Sequence, residues 1–396
     1  MPMQDEMNKV VEAEDGNLFV SVTGYLIFHD ALARTETPLV TSQGTFLDTG
    51  AANQFALPEF ADDEEYTYNQ ASIAGDGITE QLMIDSVAQA EQGPRAIQRT
   101  SSYIFNEYDA IRQALILVLR YKESNLRCKA LNIPPDASPE DLYPLVLGLD
   151  LGNRITLQVN NTNNPAMLNE KYHIEGVTHK WNPRKGWRTA WQLWGANRYR
   201  GFLTYKDGFV EKLSDVSYTD CHNAAAGSNV FNNDALGLQV GQWAIWAGGI
   251  FTSQRIQRGV VEFDTSTILT SDTVAEGFIL VKLADFSNTV AWKIDILGAN
   301  GAYCPLALSD YSILHDATDL AADELDVVAP PGWHVFSLNA LGLAQITKEG
   351  ITHFAVRSNR DVAATDPGAL SSEWATLAGK GYLAAKYQMQ LILRLG

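Results

Sequence analysis

The sequence predicts a mainly β protein with a few helices: an α+β first part followed by a C-terminal antiparallel β-sandwich. Three observations support this class. Nine Trp, fifteen Tyr and fifteen Phe residues suit broad β-sheets better than a helical bundle. Short alternating segments recur between turn-forming residues after Arg258, as they do in sandwiches. One clear segment, near residues 107–122, has the period of an amphipathic helix.

The first part, residues 1–205, contains the predicted helices. Asn106 is a good N-cap for the segment near 107–122, where negative charge in the first turn favours the helix dipole. Ser138-Pro139-Glu140-Asp141 predicts the start of a second helix, which Pro144 is expected to cut short. The apolar face of the first helix consists of Ile111, Ala114, Leu115, Val118 and Leu119.

Strands are predicted around these helices. Leu18-Phe19-Val20 and Tyr25-Leu26-Ile27-Phe28 flank Gly24 and predict a short hairpin. Tyr172–His179 alternates with a period of two, and turn residues separate it from a returning strand, Trp187–Trp194.

The alternation of Tyr172–His179 leaves a second interpretation open. His173, Glu175 and His179 share one strand face, which would suit a metal site only if three ligands converged with supporting contacts. A solvated strand face is the other interpretation.

The second half divides into two predicted regions. Residues 206–250 are rich in Gly, Asn, Asp and Ala and are expected to form a linker and a leading strand. Residues 251–396 are expected to form a jelly-roll β-sandwich. The predicted strands are Arg258–Asp264, Gly277–Leu283, Val290–Leu297, Trp333–Leu338, Thr352–Ser358 and Tyr382–Leu395.

Charge and cysteine content exclude several classes of protein. The net charge is −18, which argues against sequence-specific nucleic-acid binding. Residues 1–100 hold 17 acidic and 4 basic side chains, whereas residues 151–200 hold 2 acidic and 8 basic ones. The acidic first part favours either solubility alone or a surface that faces a DNA conduit and repels the polymer.

The sequence has no run of about 18 apolar residues, so no membrane insertion is expected. Three unpaired Cys fit assembly in a reducing cytoplasm.

Three segments of the first 205 residues resemble a known family when they are taken in order. They are Glu14-Asp15-Gly16-Asn17-Leu18-Phe19 with Gly24-Tyr25-Leu26-Ile27-Phe28, Leu149-Asp150-Leu151-Gly152-Asn153-Arg154-Ile155-Thr156-Leu157, and Tyr172-His173-Ile174-Glu175-Gly176-Val177-Thr178-His179 with Trp187, Thr189 and Leu193. This set resembles bacteriophage minor tail or tail-hub proteins. The resemblance implies a structural component of a tail tip or baseplate, present in the virion and assembled in the host cytoplasm. Its expected partners are other phage tail proteins and further copies of itself, with a trimer favoured.

Residues 255–395 resemble a second group. The segments are Arg258-Gly259-Val260-Val261-Glu262-Phe263-Asp264-Thr265-Ser266, Leu308-Ser309-Asp310-Tyr311, Trp333-His334-Val335-Phe336-Ser337-Leu338 and Phe354-Ala355-Val356-Arg357-Ser358-Asn359-Arg360-Asp361. They resemble carbohydrate-binding-like jelly-roll modules of phage tail and secreted polysaccharide-active proteins. Some such modules bind glycans and others are spacers. A glycan-binding receptor-recognition protein and a polysaccharide-active accessory protein are therefore the alternative functions.

No catalytic motif is present: the sequence lacks GxSxG, HExxH, a Walker-type phosphate loop and GxGxxG after a strand. We therefore expect no enzyme, no catalytic residues, no metal and no cofactor. For glycan contact, the candidates are aromatic residues in expected loops, because sugars bind flat aromatic faces beside hydrogen-bonding groups. Tyr303, Tyr311 and Trp374 are predicted to be exposed in this way, whereas the alternation around Trp292 and Trp333 predicts that both are buried.

Overall fold

The computed structural model divides into two compact units, Met1–Arg198 and Tyr199–Gly396. Both consist mainly of strands in antiparallel sheets with a few helices, which confirms the predicted mainly β class. The structure describes residues 3–13, 16–21, 23–29, 38–39, 41–48, 55–56, 58–62, 67–122, 126–159, 168–184, 186–196, 198–214, 217–232, 237–247, 250–288, 291–299, 301–317, 321–322, 325–327, 332–366, 372–380 and 388–395.

The first unit contains four α-helices, one 3-10 helix (Pro135–Ala137) and eleven strands among its described residues. They are α1 (Met3–Ala13), α2 (Ser86–Gln92), α3 (Glu107–Tyr121), α4 (Pro139–Gly148), β1 (Asn17–Val20), β2 (Leu26–His29), β3 (Gly44–Leu47), β4 (Glu59–Asp62), β5 (Gln70–Gly75), β6 (Gln81–Ile84), β7 (Ala96–Ser101), β8 (Leu126–Ile133), β9 (Arg154–Val159), β10 (Leu168–Asn182) and β11 (Gly186–Gly195).

Six strands of the first unit form its main sheet, in the order β3-β9-β10-β11-β8-β4. All neighbours are antiparallel except β3 and β9. One face of the sheet is apolar, and α4 packs Leu142 and Val146 against it beside Trp191 and Ile174. The unit also contains a three-stranded sheet, β6-β5-β7, and the β1–β2 hairpin.

The helix predicted near residues 107–122 is confirmed as α3. The side chain of Asn106 caps it by accepting from the Asp109 N–H at 2.8 Å. Its Ala110, Ala114 and Val118 pack with Ala71 of β5 in one buried cluster. The face opposite this stripe is buried as well, so α3 is an interior helix.

The second predicted helix is longer than expected. α4 continues through Pro144 to Gly148. Pro144 is the sixth residue of this short helix and has no backbone N–H, so the helix loses only one hydrogen bond to the preceding turn. Burial of Leu142 and Val146 on either side of Pro144 offsets that loss.

The second unit contains four helices and eleven strands among its described residues. They are α5 (Tyr218–His222), α6 (Asp310–His315), α7 (Ala340–Ala344), α8 (Asn359–Val362), β12 (Arg198–Ser214), β13 (Asn229–Asn232), β14 (Leu238–Ala247), β15 (Ile250–Asp264), β16 (Val274–Asn288), β17 (Lys293–Gly298), β18 (Leu325–Asp326), β19 (Gly332–Ser337), β20 (Ile351–Ser358), β21 (Ser372–Leu377) and β22 (Gln390–Leu395).

These strands enclose a single large core. The pairing runs β12-β22-β16-β21-β14-β15, and β15 pairs back with β12, so the path closes. The interior holds Val261 and Phe263 of β15 with Leu391 and Leu393 of β22. The jelly-roll topology and the boundaries at residues 205 and 250 remain predictions. In the structure, the second half of β12, helix α5, β13 and β14 lie in the stretch expected to form a linker and a leading strand.

Strand β15 is buried on both faces, and this explains its unusual sequence. Val261 and Phe263 point into the enclosed core, while Ile256 and Val260 point outward into a second apolar cluster. Helices α5 and α6 cover that outer cluster with Cys221, Tyr311 and Leu314. The last predicted strand, Tyr382–Leu395, is seen as β22 only, since residues 381–387 lie outside the described part.

Candidate functional site

The structure separates the three predicted ligand contacts by burial. Tyr303 is 57% exposed in the segment between β17 and α6. Trp374 is half-buried in β21, so its assignment to a loop was wrong. Tyr311 is wholly buried in α6, so its predicted exposure was wrong too. Trp292 and Trp333 are buried at 2% and 7% exposure, as predicted.

Tyr311 is buried because a charged centre surrounds it. The Arg258 guanidinium lies 4.1 Å from the centroid of its ring, and the Tyr311 hydroxyl donates to the Cys221 carbonyl oxygen at 2.9 Å. A buried aromatic ring of this kind packs against a cation, and its hydroxyl group forms a hydrogen bond. Its role is therefore to hold α6 and α5 on the sheet.

The centre itself consists of one carboxylate between two guanidinium groups. Arg258 donates to both Asp361 carboxylate oxygens at 2.8 Å, and Arg357 Nε donates to Oδ2 at 2.7 Å. His222 Nε2 lies 2.9 Å from the Asp361 carbonyl oxygen. Burial alone would raise the pKa of Asp361, but the charges of Arg258 and Arg357 hold it well below its usual value. Because every polar group here is engaged internally, the centre is structural.

A second group lies on the same outer face of the sheet and reaches solvent. Strand pairing places Lys206 of β12 opposite Glu262 of β15, and Glu262 opposite His353 of β20. The three side chains thus form one row across three adjacent strands. Glu262 is 2% exposed, and its Oε1 lies 3.5 Å from His353 Nε2.

The segment that carries Tyr303 closes over this row. The Cys304 N–H donates to Glu262 Oε1 at 2.6 Å, and Lys206 Nζ donates to the Cys304 carbonyl oxygen at 3.4 Å. These contacts fix the backbone next to Tyr303. The Tyr303 ring meets the His353 ring edge-on, with centroids 4.5 Å apart, and leaves more than half of its own surface in solvent.

A second tyrosine extends the group along β12. The register shifts between Thr204 and Lys206, so Tyr205 is the extra residue of a β-bulge, a device that re-aims a side chain. Tyr205 is 38% exposed, and its ring centroid lies 5.1 Å from Lys206 Nζ and 5.5 Å from Lys380 Nζ. We call the set the Tyr303 platform: Tyr205, Lys206, Glu262, Tyr303, His353 and Lys380.

Burial disfavours the charged forms of Glu262 and His353 in the middle of the platform. It raises the pKa of Glu262, an effect that the Cys304 N–H and the Lys206 ammonium reduce. It also lowers the pKa of His353. The positive charges of the platform are the ammonium groups of Lys206 and Lys380, which lie beside the Tyr205 ring. Two exposed aromatic rings beside two cations and a neutral imidazole can stack against an apolar face and donate hydrogen bonds to oxygen atoms.

Sequence reasoning identified Tyr303 but missed the other five platform residues. Glu262 was recognised only as part of a strand, and Lys206 fell in the expected linker. The missing signal was strand order, because Lys206, Glu262 and His353 become neighbours only when β12, β15 and β20 pair.

The alternative metal site in the first unit is not formed. Glu175 is the extra residue of a bulge between Ile174 and Gly176, so His173 and His179 point to opposite faces of the sheet. His173 Nδ1 instead lies 3.0 Å from the Gly152 carbonyl oxygen, and His179 Nδ1 lies 2.9 Å from Thr189 Oγ1. Across the described ranges, no group of three His, Cys, Asp or Glu side chains could hold a metal ion.

The three thiols are buried and unreactive. Burial raises the pKa of Cys128 and Cys221 to about 12, and it raises the pKa of Cys304 as well. A thiol is nucleophilic as its thiolate, so all three are inert at neutral pH. Within the described part of the chain, no helix is both long and apolar enough to cross a membrane.

Comparison with known proteins gives distant structural similarities. No protein-family model and no curated protein sequence matches the chain. A tail protein from Neisseria meningitidis MC58 is similar over 48% of this chain and 52% of its own, with 10% identity and a TM-score of 0.35. The 43 kDa tail protein of prophage MuSo2 from Shewanella oneidensis is similar over 48% and 51%, with 9% identity and a TM-score of 0.31. The chain thus matches about half the length of each, and neither TM-score reaches the level of a shared fold.

Proposed function

We propose that the chain is a structural protein of a bacteriophage tail, located at the tail tip or baseplate. The observation that carries the proposal is the convergence of the three sequence segments that resemble tail-hub proteins. Asn17 Nδ2 of β1 donates to Glu175 Oε2 of β10 at 3.4 Å. His173 Nδ1 contacts the Gly152 carbonyl oxygen at 3.0 Å. The first and third segments, more than a hundred residues apart, and the second and third segments are therefore in contact within one unit, which supports the proposal.

A structural role accounts for the chemistry as well as for the segments. The charged centre around Asp361 is internally satisfied, and the thiols are protonated. In this proposal the chain acts without catalysis or a cofactor. It assembles in the host cytoplasm with other phage tail proteins, becomes part of the virion, and forms a homo-oligomer, with three copies favoured.

Deletion of the gene from its phage tests the proposal. We expect lysates without complete infectious tails, and recovery of infectivity when the chain is supplied from a plasmid. Electron microscopy of the deletion lysate should show tails that end abruptly or heads without tails. Normal tails and full infectivity in the deletion strain would contradict the structural role.

The Tyr303 platform favours a second function, contact with host surface glycans. An exposed aromatic ring beside hydrogen-bond donors is the usual means of holding a sugar, and the ammonium groups of Lys206 and Lys380 favour sugars that carry a carboxylate or phosphate. In this form the chain is a receptor-recognition protein as well as a tail component. The remaining alternative, a polysaccharide-active accessory protein, would act on the same class of polymer.

Glycan binding is tested with a host polysaccharide array and two Tyr variants. Tyr303→Ala should weaken binding severalfold, since a stacking ring contributes about 1 kcal/mol, and should leave the melting temperature unchanged. Tyr25→Ala, at a tyrosine 72% exposed in the first unit, is the matched control and should bind normally. Absence of binding by the intact chain would exclude the receptor function, and release of sugar products would favour the polysaccharide-active alternative.

A further inference from the structure

The tip of the β10–β11 hairpin in the first unit carries a cluster of basic side chains. Lys180 of β10 lies directly opposite Arg188 of β11, and both side chains are exposed. Arg184 is exposed in the turn between them. Like charges directly opposite each other destabilise a strand pair. Among the described residues, no carboxylate lies within ion-pair distance of Lys180, Arg184 or Arg188.

The same hairpin offers an open backbone edge. Strand β9 pairs with β10 only as far as His173, and the Asn153 carbonyl oxygen extends the pairing to Ile174. From Gly176 to Asn182, β10 pairs with β11 on one side, and no described strand pairs with it on the other. Unpaired N–H and C=O groups of this kind are a template for another strand.

The other face of the hairpin tip is aromatic. Trp181 is opposite Trp187, and Trp181 is 68% exposed. A tryptophan that is largely in solvent, next to an open edge, is a typical anchor of a protein interface. A nucleic acid could meet the cations, but it could not pair with the backbone edge. A protein strand is therefore the occupant that uses all three features.

The opposite edge of the same sheet has complementary chemistry. Strand β4 pairs with β8, and no described strand lies on its outer side. It contains Glu59, whose side chain is exposed. One edge of the sheet thus carries basic side chains, and the other carries the carboxylate of Glu59.

We propose that this edge of β10 binds β4 of a second copy of the chain, so that the sheet continues from one copy to the next. In a continuous sheet, side chains on one face of a strand lie on the same face as the corresponding side chains of the next strand. Phe60 of β4 packs into the core beside Trp191, so Glu59 points away from it, as Lys180 does on β10. The pairing would place Glu59 on the same face as Lys180 and relieve the repulsion between Lys180 and Arg188. The contact joins two different surfaces, so it generates a ring or a filament, whatever the role of the chain in a tail.

Charge reversal with rescue tests this interface in the full chain. Mass photometry and sedimentation should show that the wild type associates at low salt and dissociates as salt screens the charges. Lys180→Glu and Glu59→Lys should each raise the dissociation constant at least about tenfold. The variant with both substitutions should associate again, because the two edges have exchanged these charges. Lys348→Glu, which makes the same charge change in the second unit, should associate as the wild type does.

Hydrogen exchange then distinguishes strand pairing from contact between side chains alone. In the associated wild type, the amides of residues 176–182 and 59–62 should exchange more slowly than in the monomer. A wild type that stays monomeric up to about 100 μM would overturn the proposal, including one that binds duplex DNA or an unrelated acidic protein instead. Association that both reversed variants retain would overturn it too, because it would place the interface elsewhere.

Discussion

Asp361 shows how much of the second unit depends on single buried charges. It is wholly buried between Arg258 of β15 and Arg357 of β20. Arg258 also donates to the carbonyl oxygens of Tyr311 and His222, so a single carboxylate joins two strands to helices α5, α6 and α8. Removing it would leave two cations buried without a counter-charge, which costs more than the pair itself contributes.

We predict that Asp361→Asn lowers the free energy of unfolding of the second unit by about 3–5 kcal/mol. Asp316→Asn removes a carboxylate that is 77% exposed and should change it by less than about 0.5 kcal/mol. Tyr311→Phe should cost about 1 kcal/mol, the value of its one hydrogen bond. Urea denaturation measures all three. If the Asp361→Asn and Asp316→Asn variants were equally stable, the charged centre around Asp361 would not be what holds helices α5, α6 and α8 on the sheet.

The pKa of Asp361 also sets a direction for the effect of pH. Because this pKa lies below its unfolded value of about 3.9, the ionised carboxylate stabilises the folded state above that pH. The contribution is lost progressively as pH falls below about 4. Denaturation at neutral and acidic pH should therefore show a larger loss for the wild type than for Asp361→Asn. The same loss in both proteins would assign acid sensitivity to other groups.

At the scale of elements, Gly152 illustrates why the turn before β9 has its sequence. Its φ is +83°, and a Cβ there would lie 2.9 Å from His29 Nδ1. Glycine is the residue that adopts this backbone without strain, and its N–H donates to the Ile174 carbonyl oxygen at 2.7 Å. The turn therefore brings β2, β9 and β10 together.

We predict that Gly152→Ala destabilises the first unit by more than about 1 kcal/mol, because a Cβ adds both backbone strain and a clash. Gly148 ends α4, and a Cβ there would meet open space. Gly148→Ala should be neutral or stabilising by up to about 1 kcal/mol. Thermal unfolding of the two variants measures the difference. A neutral Gly152→Ala would contradict the close approach of the three segments.

How much the sequence could predict differs between elements and contacts. Period and capping predicted α3 and the β10–β11 hairpin, since both depend on neighbours in the chain. The continuation of α4 through Pro144 was missed, because burial on both sides of the proline decides it. The position of Trp374 in β21 was missed for a similar reason: its pairing partners, Gly241 and Ser287, are far away in the sequence. The Tyr303 platform depends on strand order and bulges, which period alone does not specify.

At the scale of the whole molecule, two compact units with separate cores account for the chain. The second unit has its own enclosed core and an outer helical layer. Its first strand belongs to that core, because Phe202 is buried in it and Thr204 donates to the Met389 carbonyl oxygen through both N–H and Oγ1.

We predict that a fragment of residues 199–396 folds by itself and unfolds cooperatively in urea. A fragment of residues 206–396 lacks Phe202 and Thr204 and should be several kcal/mol less stable. A fragment of residues 251–396 lacks β12 to β14 and should not fold. Circular dichroism and tryptophan fluorescence distinguish the three fragments. Normal folding of the shortest fragment would place the domain boundary at residue 250, where the sequence suggested it.

The location of the chain in the virion tests the central claim most directly. Purified virions of the encoding phage should be labelled with gold-conjugated antibody against residues 199–396 and viewed by electron microscopy. We expect gold at the distal end of the tail, on nearly every particle, with no label on the head or along the tail shaft. Absence of the chain from purified virions, in both labelling and mass spectrometry, would contradict the structural role.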